Sequence, residues 1–513
     1  MKQRLAVYLF SLIVLLPLVY VFGTGIMEAR TLISAQSMAL DNNWLIPHLY
    51  TEIRLNKPPL PVWLTAPIFL VNPHPSMLAL HIPVILVTSL LGVFCCDIAL
   101  SLGEKEKTGL YAGLVISTML LTLKLGTTNS WDIYSVVFMT GALAALLRRE
   151  KHWLVIGTAC MAASVLSKGP VQLYTMLLPF LAAMLLFRRP LPWKRLALIT
   201  GTGCAIGSLW YLYVYLAVPQ QAAAVARGEV SAWSSLHTAS FFFYLSFPAF
   251  AGAWALPSLC ALLEKWLPTT SGSSKKFLLC WFFLSLLLIS LVPEKKERYL
   301  MPTMVPLALL TAQVLYHWVK GLQNGMLSRM ERRIISVHLI GGTIAAVGIC
   351  LFIAWNNRDH VLYLSLFTLL CAGIGLVGIK KPGLLVPVTC MLVLLTSLAG
   401  FRAGSTRPII QKIPPTCSLE ELRTLPRIAS LPCYSFDNFN PTDEWEIGRD
   451  TTRISSLSDI KQKTFLLLDT DTTPPAALSE NGVRVMERFL VQTSRNSYMQ
   501  LFVVEKAPVS SGE

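Results

Sequence analysis

Apolar residues in this chain come in blocks of about twenty, the length a helix needs to cross a bilayer, separated by short polar stretches. Thirteen blocks can be drawn, near 5–23, 77–102, 108–126, 132–148, 153–167, 171–187, 194–217, 241–263, 276–292, 300–318, 336–355, 361–378 and 384–401. The pattern predicts an α-helical polytopic membrane protein with about 13 transmembrane helices, occupying residues 1–403. The first block follows Met1, Lys2, Gln3 and Arg4 as a signal peptide would. Its apolar run is too long for such a leader and no small-residue cleavage site follows, so it is expected to stay as an anchor.

Two stretches break the pattern. Residues 24–76 form a long loop after the first block and carry two amphipathic segments, 29–41 and 60–72. These are too short to span and suit helices lying in the interface plane. From 404 to 513 the period changes to alternation, as in Thr464–Asp469 (TFLLLD) and Tyr498–Lys506 (YMQLFVVEK), which predicts a small C-terminal α/β domain.

Composition supports this division and adds orientation. The 513 residues are 54% hydrophobic and 14% charged, well below the quarter charged that is usual for a soluble domain. A soluble enzyme, a disordered regulator and a nucleic-acid binder are excluded, and no nucleic-acid partner is expected. The net charge of +15 is unevenly placed, because the last 110 residues carry 12 Lys/Arg against 14 Asp/Glu. The basic excess sits in alternate loops: Lys105 and Lys107; Arg148, Arg149 and Lys151; Arg188, Arg189, Lys194 and Arg195; Lys275 and Lys276; Lys320, Arg329, Arg332 and Arg333; Lys380 and Lys381. Basic loops remain cytoplasmic, so the N-terminus is expected inside and the C-terminal domain outside. Nine of the eleven cysteines fall in apolar blocks and read as small hydrophobes. Cys417 and Cys433, in an extracytoplasmic tail, are open to pairing.

Some cations lie on the wrong face for that rule: Arg30 with Arg54 and Lys57, Lys168 in SKGP, the run EKKERY at Glu294–Tyr299, and Arg358 with His360. Glu294 and Glu297 offset part of this charge. An outer-leaflet anion such as a lipid phosphate, met by several loops at once, explains it better. Lys57 precedes two prolines, which stiffen the turn that carries it; a lysine so held is a good point-charge ligand for phosphate.

Two acids stand on the same face. Glu28 lies where the first interfacial segment begins, and Asp132 opens the fourth block in NSWDIYSVVF. Each has an ordinary explanation at a helix N-terminus. Each could instead act on an acceptor hydroxyl, one as base and one as orienting group.

The strings MEAR…NNWLIPHLY…LNKPPLPVWL, NSWDIYSVVF, SKGP and KKERYLMPTMVPLALL resemble the polytopic glycosyltransferases of the C superfamily. Within it the chain looks closest to the lipid A aminoarabinose transferases and the protein O-mannosyltransferases. The resemblance covers about residues 1–400 and the tail only loosely. It implies transfer of a sugar from a polyprenyl-phosphate donor to a glycolipid or protein acceptor at the outer leaflet of a bacterial inner membrane, among membrane lipids, by inverting single displacement. It implies catalytic roles for Glu28 and Asp132, donor-phosphate contacts from Lys57, Lys168, Arg298, Tyr299 and Arg30, and accessory roles for His48, Tyr50 and Lys295.

The chain departs from the family pattern at two positions. Met27 stands where the family has an Asp, and Asn56 where the aminoarabinose enzymes have an acid that is a metal-ligand candidate. No metal site is therefore assigned, although a divalent ion remains compatible with the family. His48 is expected to hold the loop beside Tyr50. Neither sugar nor acceptor is fixed by these residues. A flippase or transporter is the rival of another class, but it should show internal repeats with interrupted helices, and none is visible. A non-catalytic assembly protein is the other rival, kept open by Met27.

Overall fold

The computed structural model describes residues 2–50, 52–235, 238–263, 272–357, 360–403, 417–418, 425–436, 440–457, 460, 462, 464–469, 483–492 and 498–506. Two compact units emerge. One holds Met1–Gly23, Asn43–Pro47 and Arg54–Arg407; the other holds Thr24–Asn42, His48–Ile53 and Pro408–Glu513. The division differs from the linear boundary at residue 403, because two pieces of the first outer loop cluster with the C-terminal domain.

In the first unit every one of the thirteen apolar blocks is helical. Among the described residues, nine helices are long and apolar enough to cross a membrane. The block at 108–126 is not one helix: it divides into Glu106–Thr118 and Leu120–Leu125 at Met119, whose ψ is 137°. The Thr118 hydroxyl donates back to the Leu114 carbonyl at 2.6 Å, a bond that bends helices. Leu120 then fits against Gly252, whose φ is +61° and where an added Cβ would lie 2.8 Å from the Leu120 Cβ.

Close helix approach rests on small residues, as expected where lipid supplies no drive to associate. Gly109 and Gly113 share a face of the Glu106–Thr118 helix. A Cβ on Gly113 would lie 2.7 Å from the Cys96 sulfur and 2.8 Å from the Gly92 carbonyl. Gly203 and Gly207 do the same for the Trp193–Ala217 helix, against Met161 and Val165 of His152–Lys168. That second pair fixes the helix ending at Lys168.

The second unit is a mixed six-stranded sheet. Its strands are β3 (Cys417–Ser418), β4 (Cys433–Ser435), β5 (Thr451–Arg453), β6 (Thr464–Asp469), β7 (Val483–Gln492) and β8 (Tyr498–Lys506), following a separate outer-loop hairpin of β1 (His48–Leu49) and β2 (Glu52–Ile53). The spatial order is β3-β7-β8-β6-β4-β5. β6 and β8, the two runs predicted from alternation, are antiparallel neighbours. Apolar side chains fill both faces, with Ile428, Cys433, Ile447 and Leu466 in one cluster and Ile460, Phe465, Leu467 and Phe502 in the other. This order corrects the open Cys417–Cys433 pairing. Three strands lie between β3 and β4, at about 4.8 Å per step, far beyond the ~7 Å that a disulfide allows between Cα atoms. Cys433 is a free thiol.

Candidate active site

The outer-loop motif is built into the first unit by buried hydrogen bonds. The Trp131 indole donates to the Pro58 carbonyl at 3.0 Å, anchoring the Lys57-Pro58-Pro59 turn to the start of the Trp131–Leu147 helix. The Arg54 guanidinium lies 5.1 Å from the centre of the Trp131 ring. The Asn129 amide donates to the Thr65 hydroxyl at 2.7 Å and so ties in the Leu60–Val71 helix. Tyr134 donates to the Asn129 side-chain oxygen at 3.0 Å.

Asp132 is buried in the first turn of the Trp131–Leu147 helix. Its neighbour helix, His152–Lys168, runs back to the same end and stops at Lys168. Gly169, with φ +73°, reverses the chain there, which is what the glycine of SKGP is for. The Lys168 amine bonds one oxygen of Asp132. The Arg298 Nε lies 3.1 Å from the other oxygen, though not aligned as a hydrogen bond. Lys57 contributes a further favourable charge at the same carboxylate. Lys168 and Arg298, far apart in sequence, thus meet one buried acid, and Lys57 adds its charge from farther off.

Tyr299 completes the cluster. The Lys168 ammonium sits 4.3 Å from its ring centre and the Arg298 guanidinium 5.6 Å. Its hydroxyl donates to Glu294 Oε2 at 2.9 Å, and Glu294 also bonds the Lys296 amine. Burial would raise the Glu294 carboxyl, but the hydrogen bonds from Lys296 and Tyr299 outweigh it and hold it below the ordinary range.

The other members of the EKKERY run divide the work. Lys295 donates to the Ser290 carbonyl at 2.7 Å and to the Val292 carbonyl. It closes the C-terminal end of the helix before it, a role that suits a cation, and burial lowers its basicity. Lys295 therefore serves the loop's shape. Arg358, singled out with His360, lies outside the described residues; His360 is the residue before the Val361–Lys380 helix.

Glu28, Arg30, His48 and Tyr50 belong to the second unit. Glu28 is in the first turn of the Ile26–Asp41 helix, and its side chain is buried. His48 pairs with Ile53 across the β1–β2 hairpin. Tyr50 adopts a φ of 51° at the turn and donates to the Glu444 carbonyl at 3.0 Å. It pins the hairpin to the Pro441–Ile447 helix. The Glu444 carboxyl is pushed up to about 7 by burial and by Asp450, Glu52 and Asp443, with Arg30 opposing.

Sequence reasoning missed Glu229. It stands on the Pro219–Ser235 helix, in a loop whose sequence QQAAAVARGEVSAWSSLHT shows no motif. Its carboxylate bonds the Lys57 amine at 3.1 and 3.3 Å and the Asn56 amide at 3.2 Å. Asn56 thus presents an amide donor where the resembled enzymes have an acid. Among the described residues no three His, Cys, Asp or Glu side chains gather as metal ligands. The residues present do not fit a metal, and no step is drawn through one.

The fold matches solved structures of ArnT. A crystal structure of ArnT from Cupriavidus metallidurans bound to undecaprenyl phosphate superposes with a TM-score of 0.67 and 16% identity, over 99% of this chain and 98% of that one. In sequence, an undecaprenyl phosphate-alpha-4-amino-4-deoxy-L-arabinose arabinosyl transferase of Pectobacterium atrosepticum is 27% identical over 68% of this chain. One of Erwinia tasmaniensis is 26% identical over 66%. The matched stretches cover 65% and 62% of those relatives, less than two thirds of their length. An uncharacterized Aquifex aeolicus protein is 27% identical over 55% of the chain. No family model matches. The resemblance to the aminoarabinose transferases therefore holds in fold across nearly the whole chain and in sequence across two thirds of it.

Proposed function

We propose that the chain is an integral-membrane glycosyltransferase that moves a sugar from a polyprenyl-phosphate donor to a lipid A-like or other envelope acceptor. The observation that carries this reading is the convergence of Lys57, Lys168 and Arg298 on one buried carboxylate, Asp132. Three cations against Asp132 and Glu229 leave an excess of one positive charge at a place where topology alone would exclude it. Such preorganised charge stabilises a departing phosphate. The named activity of the sequence relatives supports the same assignment.

The contacts of Asp132 support different parts for the two acids. Both oxygens of Asp132 face cations, which suits it as an anchor for the phosphate-binding side chains. The family resemblance supports Glu28 as the base. In a single displacement the acceptor oxygen bonds to the anomeric carbon as the carbon–phosphate oxygen bond breaks. Its proton passes to a general base, and the polyprenyl phosphate leaves with its charge met by Lys57, Lys168 and Arg298. The anomeric centre inverts and no covalent sugar–protein intermediate forms. The cation pattern of the loops supports an inner-membrane orientation with the N-terminus cytoplasmic and the C-terminal domain outside.

The test is to incubate full-length protein in vesicles with a panel of undecaprenyl-phosphate sugars and to identify glycosylated lipids and proteins by mass spectrometry. Transfer from at least one donor that disappears in Lys57→Ala is expected. Transport of the donor across the vesicle without transfer would replace this reading with a flippase.

A further inference from the structure

Lys57 is not an isolated point charge. The Asn56 amide donates to Glu229 Oε1 at 3.2 Å, and the Lys57 amine approaches that same oxygen at 3.3 Å and Oε2 at 3.1 Å. Two adjacent side chains on a proline-stiffened turn thus present two donors to one anion. The anion they hold belongs to a helix more than 170 residues away in sequence. The pair is only partly buried, with 23% of the Lys57 side chain and 31% of the Glu229 side chain exposed, so an incoming anion has access to it.

We propose that Asn56 and Lys57 form a two-pronged site for the phosphate of the polyprenyl carrier, and that the Glu229 carboxylate is its resting occupant. The carrier phosphate takes the place of Glu229 on both donors and releases the Pro219–Ser235 helix from the turn. This rests on the glycosyltransferase reading and deepens it, by giving the phosphate a second ligand and an internal competitor. An amide at position 56 suits the role, since it donates to phosphate oxygen where an acid would repel it. Glu229 lowers apparent affinity, because the carrier must displace it to bind. A partly exposed ion pair is a weak competitor, which keeps the exchange reversible.

The experiment measures binding of undecaprenyl phosphate to the full-length protein in detergent by native mass spectrometry. Glu229→Gln removes the competing charge and is expected to tighten binding about fivefold, the ratio that corresponds to one such ion pair. Glu229→Ala is expected to act in the same direction, and Asn56→Asp to weaken binding by tenfold or more. Glu229 variants that bind no tighter than the wild type, or Asn56→Asp binding as well as the wild type, overturn the proposal. Lys57→Ala separates the two levels of argument. If it weakens binding while the Glu229 variants change nothing, only this inference falls; if it has no effect, the phosphate reading falls with it. Inorganic phosphate at matched concentration is expected not to displace the lipid, and equal competition would overturn the lipid carrier as occupant.

Discussion

Replacing Asp132 by Asn removes one negative charge and little else, because the amide has the carboxylate's shape. It leaves Lys168, whose side chain is 9% exposed, and Arg298 without their shared counter-charge. Removing one partner of a buried ion pair costs about 3–5 kcal/mol, mostly the penalty of the stranded charge. The Tyr299 ring, 4.3 Å from the Lys168 ammonium, offsets about 1 kcal/mol of this. The net loss is about 2–4 kcal/mol. With an unfolding entropy of ~2.1 cal/mol/K per residue, 513 residues convert it to a fall in Tm of roughly 2–4 °C. The assay is thermal unfolding of the full chain in detergent, run as a double-mutant cycle with Lys168→Met. The double variant leaves only Arg298 without its counter-charge and should recover at least half of the loss, with a coupling above about 1 kcal/mol. A coupling near zero would refute the claim that Asp132 is the anchor of the cation cluster. An Asp132→Asn protein that keeps both full stability and full transfer would refute its functional place as well.

Glu28→Gln is expected to reduce transfer by about 100-fold or more while leaving Tm and carrier binding unchanged, the signature of a lost general base. The second unit should lose stability as pH rises from about 4.5 to about 7. Glu444 has its carboxyl raised to about 7, so the folded unit binds the extra proton in that window and its loss destabilises. After allowance for solvent screening the effect is about 1–2 kcal/mol, and Glu444→Gln should flatten the pH profile of thermal unfolding. Gly113→Ala places a Cβ 2.8 Å from the Gly92 carbonyl, and a cost of about 1–3 kcal/mol in the same thermal assay is expected for such overpacking. Reductant should leave Tm unchanged, because Cys417 and Cys433 are on strands too far apart to be bridged.

The legible part of the candidate site was legible for one reason. Cations on the face expected to lie outside break a topological rule, so Lys57, Lys168 and Arg298 stand out as exceptions in the sequence. Their common focus on Asp132 needed the antiparallel packing of the Trp131–Leu147 and His152–Lys168 helices, which Gly169 and the Gly203/Gly207 contacts set. Lys295 reads in sequence like its neighbours in EKKERY, yet one residue's rotation points it at the helix end behind it. Glu229 carries no local signal, since an acid on a polar helix is ordinary until its partner is known.

The sequence by itself determined the element plan: a series of apolar helical blocks, two short helices between the first two of them, and an alternating tail, because helix and strand periods are local properties of the chain. Tertiary structure alone decided the partnerships. It broke the 108–126 block at Met119, drew Thr24–Asn42 and His48–Ile53 into the unit of the C-terminal sheet, separated Cys417 from Cys433 by three strands, and set Glu229 on Lys57. Each of these depends on residues distant in sequence meeting in space, and an ion pair or a sheet order has no period that a chain can display.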